Sequence, residues 1–128
     1  MRSTTFSQNG NDSTPTAMDV QDVLSRLGDD HELLRDIIEI YLEDSPPIFE
    51  KIRRAVMAND PRTLQRAAHN LKGFAVTLSA ADVAATASRL EHMGASNALG
   101  DAAATVVELE AHLNELETAA RYYVKNRR

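Results

Sequence analysis

His69 lies in the run Ala67-Ala68-His69-Asn70-Leu71-Lys72-Gly73, a combination of imidazole, cation and glycine that could carry a phosphoryl group. At about 100° per residue, Leu64, Ala67, Leu71, Phe74, Ala75 and Leu78 fall on one side of a helix. His69 then points in close to the opposite direction, into water. A solvated imidazole is largely unprotonated near neutral pH and is then a competent nucleophile. Its neighbours on the helix surface are Arg62, Gln65 and Arg66 on one side and Lys72, Gly73 and Val76 on the other. The cations among them, Arg62, Arg66 and Lys72, would stabilise an attached dianionic phosphoryl group. Glycine inside a helix costs about 1 kcal/mol relative to alanine. The missing side chain of Gly73, one turn past the ring, gives another protein's active site room to approach.

The helix that carries His69 has a start signal in Asn59-Asp60-Pro61, with Asp60 as N-cap and Pro61 at the first helical position. It is expected to run to about Leu78. Ser79 with Asp82 reads as a capping box, and Leu78 against Val83 as a hydrophobic staple, for a return helix. That helix turns Val83, Ala87, Leu90 and Met93 inward and is expected to stop at Gly94. The pair forms a tight antiparallel hairpin around Ser79, so residues equally far from the turn lie opposite one another and Glu91 comes level with His69. A carboxylate there could accept a hydrogen bond from one ring nitrogen and leave the other free to attack. The alternative is that Glu91 is a solvated surface carboxylate.

Upstream, a short helix is expected from about Asp19 to Leu27, with Val20, Val23, Leu24 and Leu27 on one stripe and Gly28 ending it. A second starts at Asp29 or Asp30, with Glu32 in its first turn and Leu34, Ile37, Ile38, Tyr41 and Leu42 inward. Pro46-Pro47 interrupts the pattern before it resumes at Ile48, Phe49, Ile52, Ala55 and Val56, which leaves open one kinked helix or two. After a loop through Asn97 and Gly100, a last helix from about Asp101 places Val106, Leu109, Leu113, Leu116, Ala120 and Tyr123 on a bundle seam.

The 128 residues suffice for one domain with a real core, and the absence of cysteine excludes thiolate catalysis and cysteine zinc sites. Few aromatics and abundant alanine and leucine favour helices over sheet. The expected fold is all-α: an antiparallel, up-down four-helix bundle with an additional short N-terminal helix. A net charge of -5 argues against a nucleic-acid surface and makes the cationic cluster around His69 a local feature. No run approaches the roughly 20 apolar residues of a membrane span, and Met1 to Thr16 lack the apolar core of a secretory signal. A cytoplasmic location follows as the expectation. The division of the chain is a disordered polar tail over 1–17, the bundle over 18–125 and a basic end over 126–128.

His69-Asn70-Leu71-Lys72-Gly73 resembles the His-x-Leu-Lys-Gly signature of histidine-containing phosphotransfer (HPt) domains, the helical-bundle relays of multistep two-component signalling. The resemblance covers about Asp19 to Tyr123, with Asn59-Asp60 before the histidine helix, Leu78-Ser79-Ala80 turning it and Arg89-Leu90-Glu91 in the return helix. Members often have a small residue and a glycine where this chain has Phe74 and Ser79, and often Glu or Gln at the position of Glu91. The resemblance implies that His69 is the phosphoacceptor, taking a phosphoryl group from a receiver-domain aspartate and passing it to another response-regulator receiver. It further implies that the receiver supplies the Mg²⁺, that this chain binds no cofactor of its own and has no autonomous kinase activity, and that its partners are receivers and a hybrid sensor histidine kinase. A monomer is expected. Lys72 and Glu91 are the expected catalytic support, and Arg62, Gln65, Arg66, Gly73 and Val76 the expected partner-binding residues.

Two other functions compete. The histidine helix could be a docking module that binds a receiver or kinase without chemistry, a role that would not need His69 beside Lys72 and Gly73. A di-iron bundle would need Glu-x-x-His pairs on two helices. The sequence offers only Glu108 and His112, spaced i and i+4, and no metal site is expected. The remaining histidines, His31, His92 and His112, are expected to be solvated polar residues.

Overall fold

A computed structural model of the protein describes residues 17–126, so the tail expected at 1–17 falls outside the described residues except for Ala17, as do Arg127 and Arg128. Five helices follow one another, α1 (Val20–Arg26), α2 (His31–Met57), α3 (Pro61–Thr77), α4 (Ala81–Ala95) and α5 (Ala102–Asn126). Helix α3 packs on α2 and α4, and α5 closes the ring by packing on α4 and α2, while α1 lies against α2. The core they enclose includes Leu34, Ile38, Tyr41, Ile52, Leu64, Leu71, Leu90, Leu109 and Leu116, all essentially without solvent access. This is the helical bundle with a short extra N-terminal helix that the apolar spacing called for.

Helix starts follow the sequence signals. The carboxylates of Asp19, Asp30 and Asp60 accept from the backbone N–H three residues on, at 3.1, 3.0 and 3.2 Å, which partners an otherwise orphaned donor in each first turn. The first four helices share one stop device, a residue in the left-handed region just past the last turn: Gly28 at φ 66° and Asn59, Ser79 and Asn97 at 52°. At Ser79 its N–H donates to Val76 O and the next N–H, that of Ala80, to Ala75 O, at 3.1 and 2.8 Å, the paired bonds of a Schellman stop. Only glycine adopts this conformation without steric cost.

That device overturns two expectations. The N-cap of α4 is Ala80, with no side-chain cap bond, so Ser79 and Asp82 do not form a capping box. Leu78 and Val83 are both buried, but Leu78 lies two residues before the cap, out of frame for a staple. Ser79 instead serves the α1 junction: its hydroxyl donates to Asp22 Oδ2 and accepts from the Arg26 guanidinium. The same guanidinium donates to Thr77 O at 3.2 Å, satisfying a terminal carbonyl of α3. Gly94, expected to end α4, is buried inside it, and the chain turns at Asn97. A Cβ on Gly94 would stand 2.6 Å from Pro61 O and 2.8 Å from Gln65 N, so the glycine is there to let α4 touch the α3 backbone.

Helix α2 passes through both prolines as one element. Pro46 and Pro47 are exposed, so the carbonyls of Leu42 and Glu43 that they leave without a helical partner can turn toward water. Ile38 and Tyr41 before them and Ile52 and Ala55 after them are buried, which holds both halves on the bundle. Phe74 sits edge-on to Tyr41 at a ring separation of 5.7 Å.

Candidate functional site

Five core positions on α3, Leu64, Ala67, Ala68, Leu71 and Ala75, are buried against the bundle, which turns His69 outward with 66 % of its side chain exposed. Helix α4 runs back alongside and presents Glu91, whose side chain is only 21 % exposed. His69 Nδ1 lies 2.9 Å from Glu91 Oε2. Lys72, one turn along α3, places its ammonium 2.7 Å from Glu91 Oε1. One carboxylate therefore holds the ring with one oxygen and the cation with the other.

The Lys72 ammonium, against the opposing effect of burial, holds the Glu91 carboxyl below its usual range, and the bond from His69 acts in the same direction. Glu91 is thus ionised at neutral pH, and an ionised carboxylate only accepts. The hydrogen on the ring consequently sits at Nδ1, and Nε2 carries the lone pair. The hairpin geometry brings Glu91 to His69 as its register required.

The charge of Lys72 is matched by the Glu91 carboxylate. Arg62 and Arg66 remain exposed on the same helix, and Arg66 helps hold the Asp60 carboxyl low, behind the larger effect of the Thr63 bonds. Gln65 is half-buried beside Gly94, and Val76 exposes 57 % of its surface two turns past His69. Nothing lies within 4 Å of a Cβ built on Gly73. The fold itself gives no packing reason for that glycine.

The other histidines divide. His92 is exposed, as expected. His31 Nδ1 is 2.7 Å from the Tyr123 hydroxyl and stacks on that ring, tying the start of α2 to the end of α5. His112 is half-buried between Asp82 and Glu115 rather than solvated. The spacing of His112 and Glu115 along α5 was open to sequence reasoning, but the approach of Asp82 from α4 required the packed bundle.

A family model described as "Hpt domain" matches residues 36–119, more than half of the 128-residue chain. No curated protein matches the chain. Among solved structures, the crystal structure of histidine-containing phosphotransfer protein B from Pseudomonas aeruginosa PAO1 superposes with a TM-score of 0.82 at 18 % identity, covering 90 % of this chain and 100 % of that one. At that identity the likeness speaks for the fold alone. The matched segment contains His69, Lys72, Gly73 and Glu91 together with the whole α3–α4 hairpin. The chain belongs to the Hpt domain family.

Proposed function

We propose that His69 is the phosphoacceptor of a phosphorelay, taking a phosphoryl group from an aspartyl phosphate on one receiver domain and giving it to an aspartate on another. The observation that carries this reading is the Nδ1 to Glu91 contact of 2.9 Å on an otherwise exposed ring. The Nε2 lone pair attacks phosphorus, the bond from phosphorus to the aspartyl oxygen breaks, and the carboxylate leaves with the electron pair. The ring proton stays on Nδ1, so the phosphorylated imidazole is cationic and its charge faces the Glu91 carboxylate. Transfer onward reverses these steps with a new carboxylate.

Such transfer is chiefly positioning and charge neutralisation. The receiver's Mg²⁺ would supply the latter, with Lys72, Arg62 and Arg66 adding positive charge at the rim. In this reading the chain is a phosphocarrier and not an autonomous kinase. Gln65, Gly73 and Val76 form the surface that meets the receiver, and a hybrid sensor kinase bearing such a receiver is the upstream partner. Among the described residues no helix is long and apolar enough to cross a membrane.

The test is transfer from a phosphorylated receiver in the presence of Mg²⁺, with the linkage assigned by nitrogen and phosphorus NMR. Label on His69 Nε2 is expected; label on Nδ1 or on another residue overturns the reading.

Gly73→Ala provides a separate check. With open space around the new methyl, helix propensity alone should raise stability by up to about 1 kcal/mol, seen as a higher denaturation midpoint. The same methyl intrudes on the approach to the ring, so the transfer rate from a receiver falls. A variant both more stable and slower is the expected result, and one equally fast would remove the clearance role of Gly73.

A further inference from the structure

We propose that Asp82, His112 and Glu115 form a binding site for a zinc-type divalent cation between α4 and α5, sharing no residue with the His69 cluster. His112 Nδ1 has no solvent access and no hydrogen-bond partner. It stands 3.5 Å from Glu115 Oε1 and 4.0 Å from Asp82 Oδ2, too far for good hydrogen bonds to either. Buried imidazole nitrogens ordinarily find a partner, so an orphan flanked by two carboxylates is the observation to explain.

One ligand atom from each of the three residues lies within 4.8 Å of the others. Around a tetrahedral zinc with bonds of about 2.0 Å, ligand atoms stand about 3.3 Å apart. Measured from His112 Nδ1, each carboxylate oxygen needs to close by less than about 1 Å to meet that spacing, and the two oxygens, within 4.8 Å of one another, by up to about 1.5 Å. They are free to do so, since the Asp82 and Glu115 side chains are 60 and 65 % exposed while His112 is held at 26 %. His112 and Glu115 are three apart on one face of α5, and Asp82 comes from the first turn of α4. Glu108, one turn before His112, is already committed: both its oxygens accept from the Arg89 guanidinium, at 2.9 and 3.0 Å.

The donor set selects the metal. One imidazole nitrogen with two carboxylate oxygens suits zinc and its transition-metal neighbours, whereas magnesium and calcium favour oxygen alone. The two carboxylates balance the dication, and water completes the shell. A bound ion would join α4 to α5.

Calorimetric titration of the full chain with Zn²⁺ at pH 7, with Mg²⁺ as the control, tests the site. One equivalent of Zn²⁺ should bind, Mg²⁺ should not, and the thermal midpoint should rise with Zn²⁺. His112→Gln and, independently, the exposed Asp82→Asn should each weaken Zn²⁺ binding about tenfold or more and abolish the midpoint rise, while His69→Gln binds Zn²⁺ as the parent does. Absence of Zn²⁺ binding overturns the proposal, as does undiminished binding in both the His112 and Asp82 variants. Loss of binding in His69→Gln would place the ion on the His69–Glu91 pair and overturn it equally.

Discussion

His69→Gln protein, incubated with a phosphorylated receiver domain and Mg²⁺, should acquire no label, while the parent chain should acquire label that is lost in acid and retained in alkali. The expected loss is complete, because glutamine has no nucleophilic nitrogen to replace Nε2. Its amide can still donate to Glu91, and at 66 % exposure the ring contributes little packing. The substitution should therefore alter stability by no more than about 0.5 kcal/mol, a point checked by thermal denaturation of the same preparation. His31, His92 and His112 stay in place as internal controls. Label on the variant would show that one of these, or a non-histidine group, is the acceptor.

Gly94→Ala should be the most damaging single methyl in the described bundle. The new Cβ would lie 2.6 Å from Pro61 O, 2.8 Å from Gln65 N and 3.0 Å from Gln65 Cα, all backbone atoms that cannot swing aside. Helices α3 and α4 have to move apart, and overpacking of this kind costs about 1–3 kcal/mol, of which a helix-propensity gain of up to about 1 kcal/mol offsets only part when three backbone atoms are met this closely. A fall in denaturation midpoint of roughly 3–8 °C is expected. Glu91 lies one turn earlier on the displaced helix, so its bond to His69 should lengthen and phosphoryl transfer should slow. Set beside Gly73→Ala, the same chemical change has opposite effects on stability at two glycines of one hairpin. A Gly94→Ala protein as stable as its parent would show that the close crossing is not required.

Apolar periodicity and Asp caps made most of the bundle legible, because both are local in sequence. Asp19, Asp30 and Asp60 announce their helices through side chains that reach only three residues. The opposing of Glu91 and His69 was also readable, since a tight hairpin leaves little choice of register. What local signals could not supply was the frame of the α3–α4 turn. Ser79 favours N-caps by type, yet it occupies the left-handed stop at φ 52° because its hydroxyl is claimed by Asp22 and Arg26, over 50 residues away. Gly94 misled for a similar reason: a glycine that ends a helix and one that lets another helix touch look alike until the partner is known. The two prolines of α2 left the choice of one helix or two to tertiary packing, and the buried residues on either side decided it. The contact between Lys72 and Glu91 was likewise hidden, because sequence assigns both residues to the site but only the packing of α4 on α3 brings the ammonium to the carboxylate.

His69 and Glu91 come from consecutive helices 22 positions apart in the chain. A chemical surface confined to one hairpin is a portable unit, and α1, α2 and α5 are obliged only to shield its apolar back. Many apolar sequences can meet that obligation. The solved structure matched at 18 % identity with a TM-score of 0.82 builds the same fold from a largely different sequence. Such confinement also makes the hairpin a graftable cassette, one that an unrelated bundle with a matching apolar seam could display.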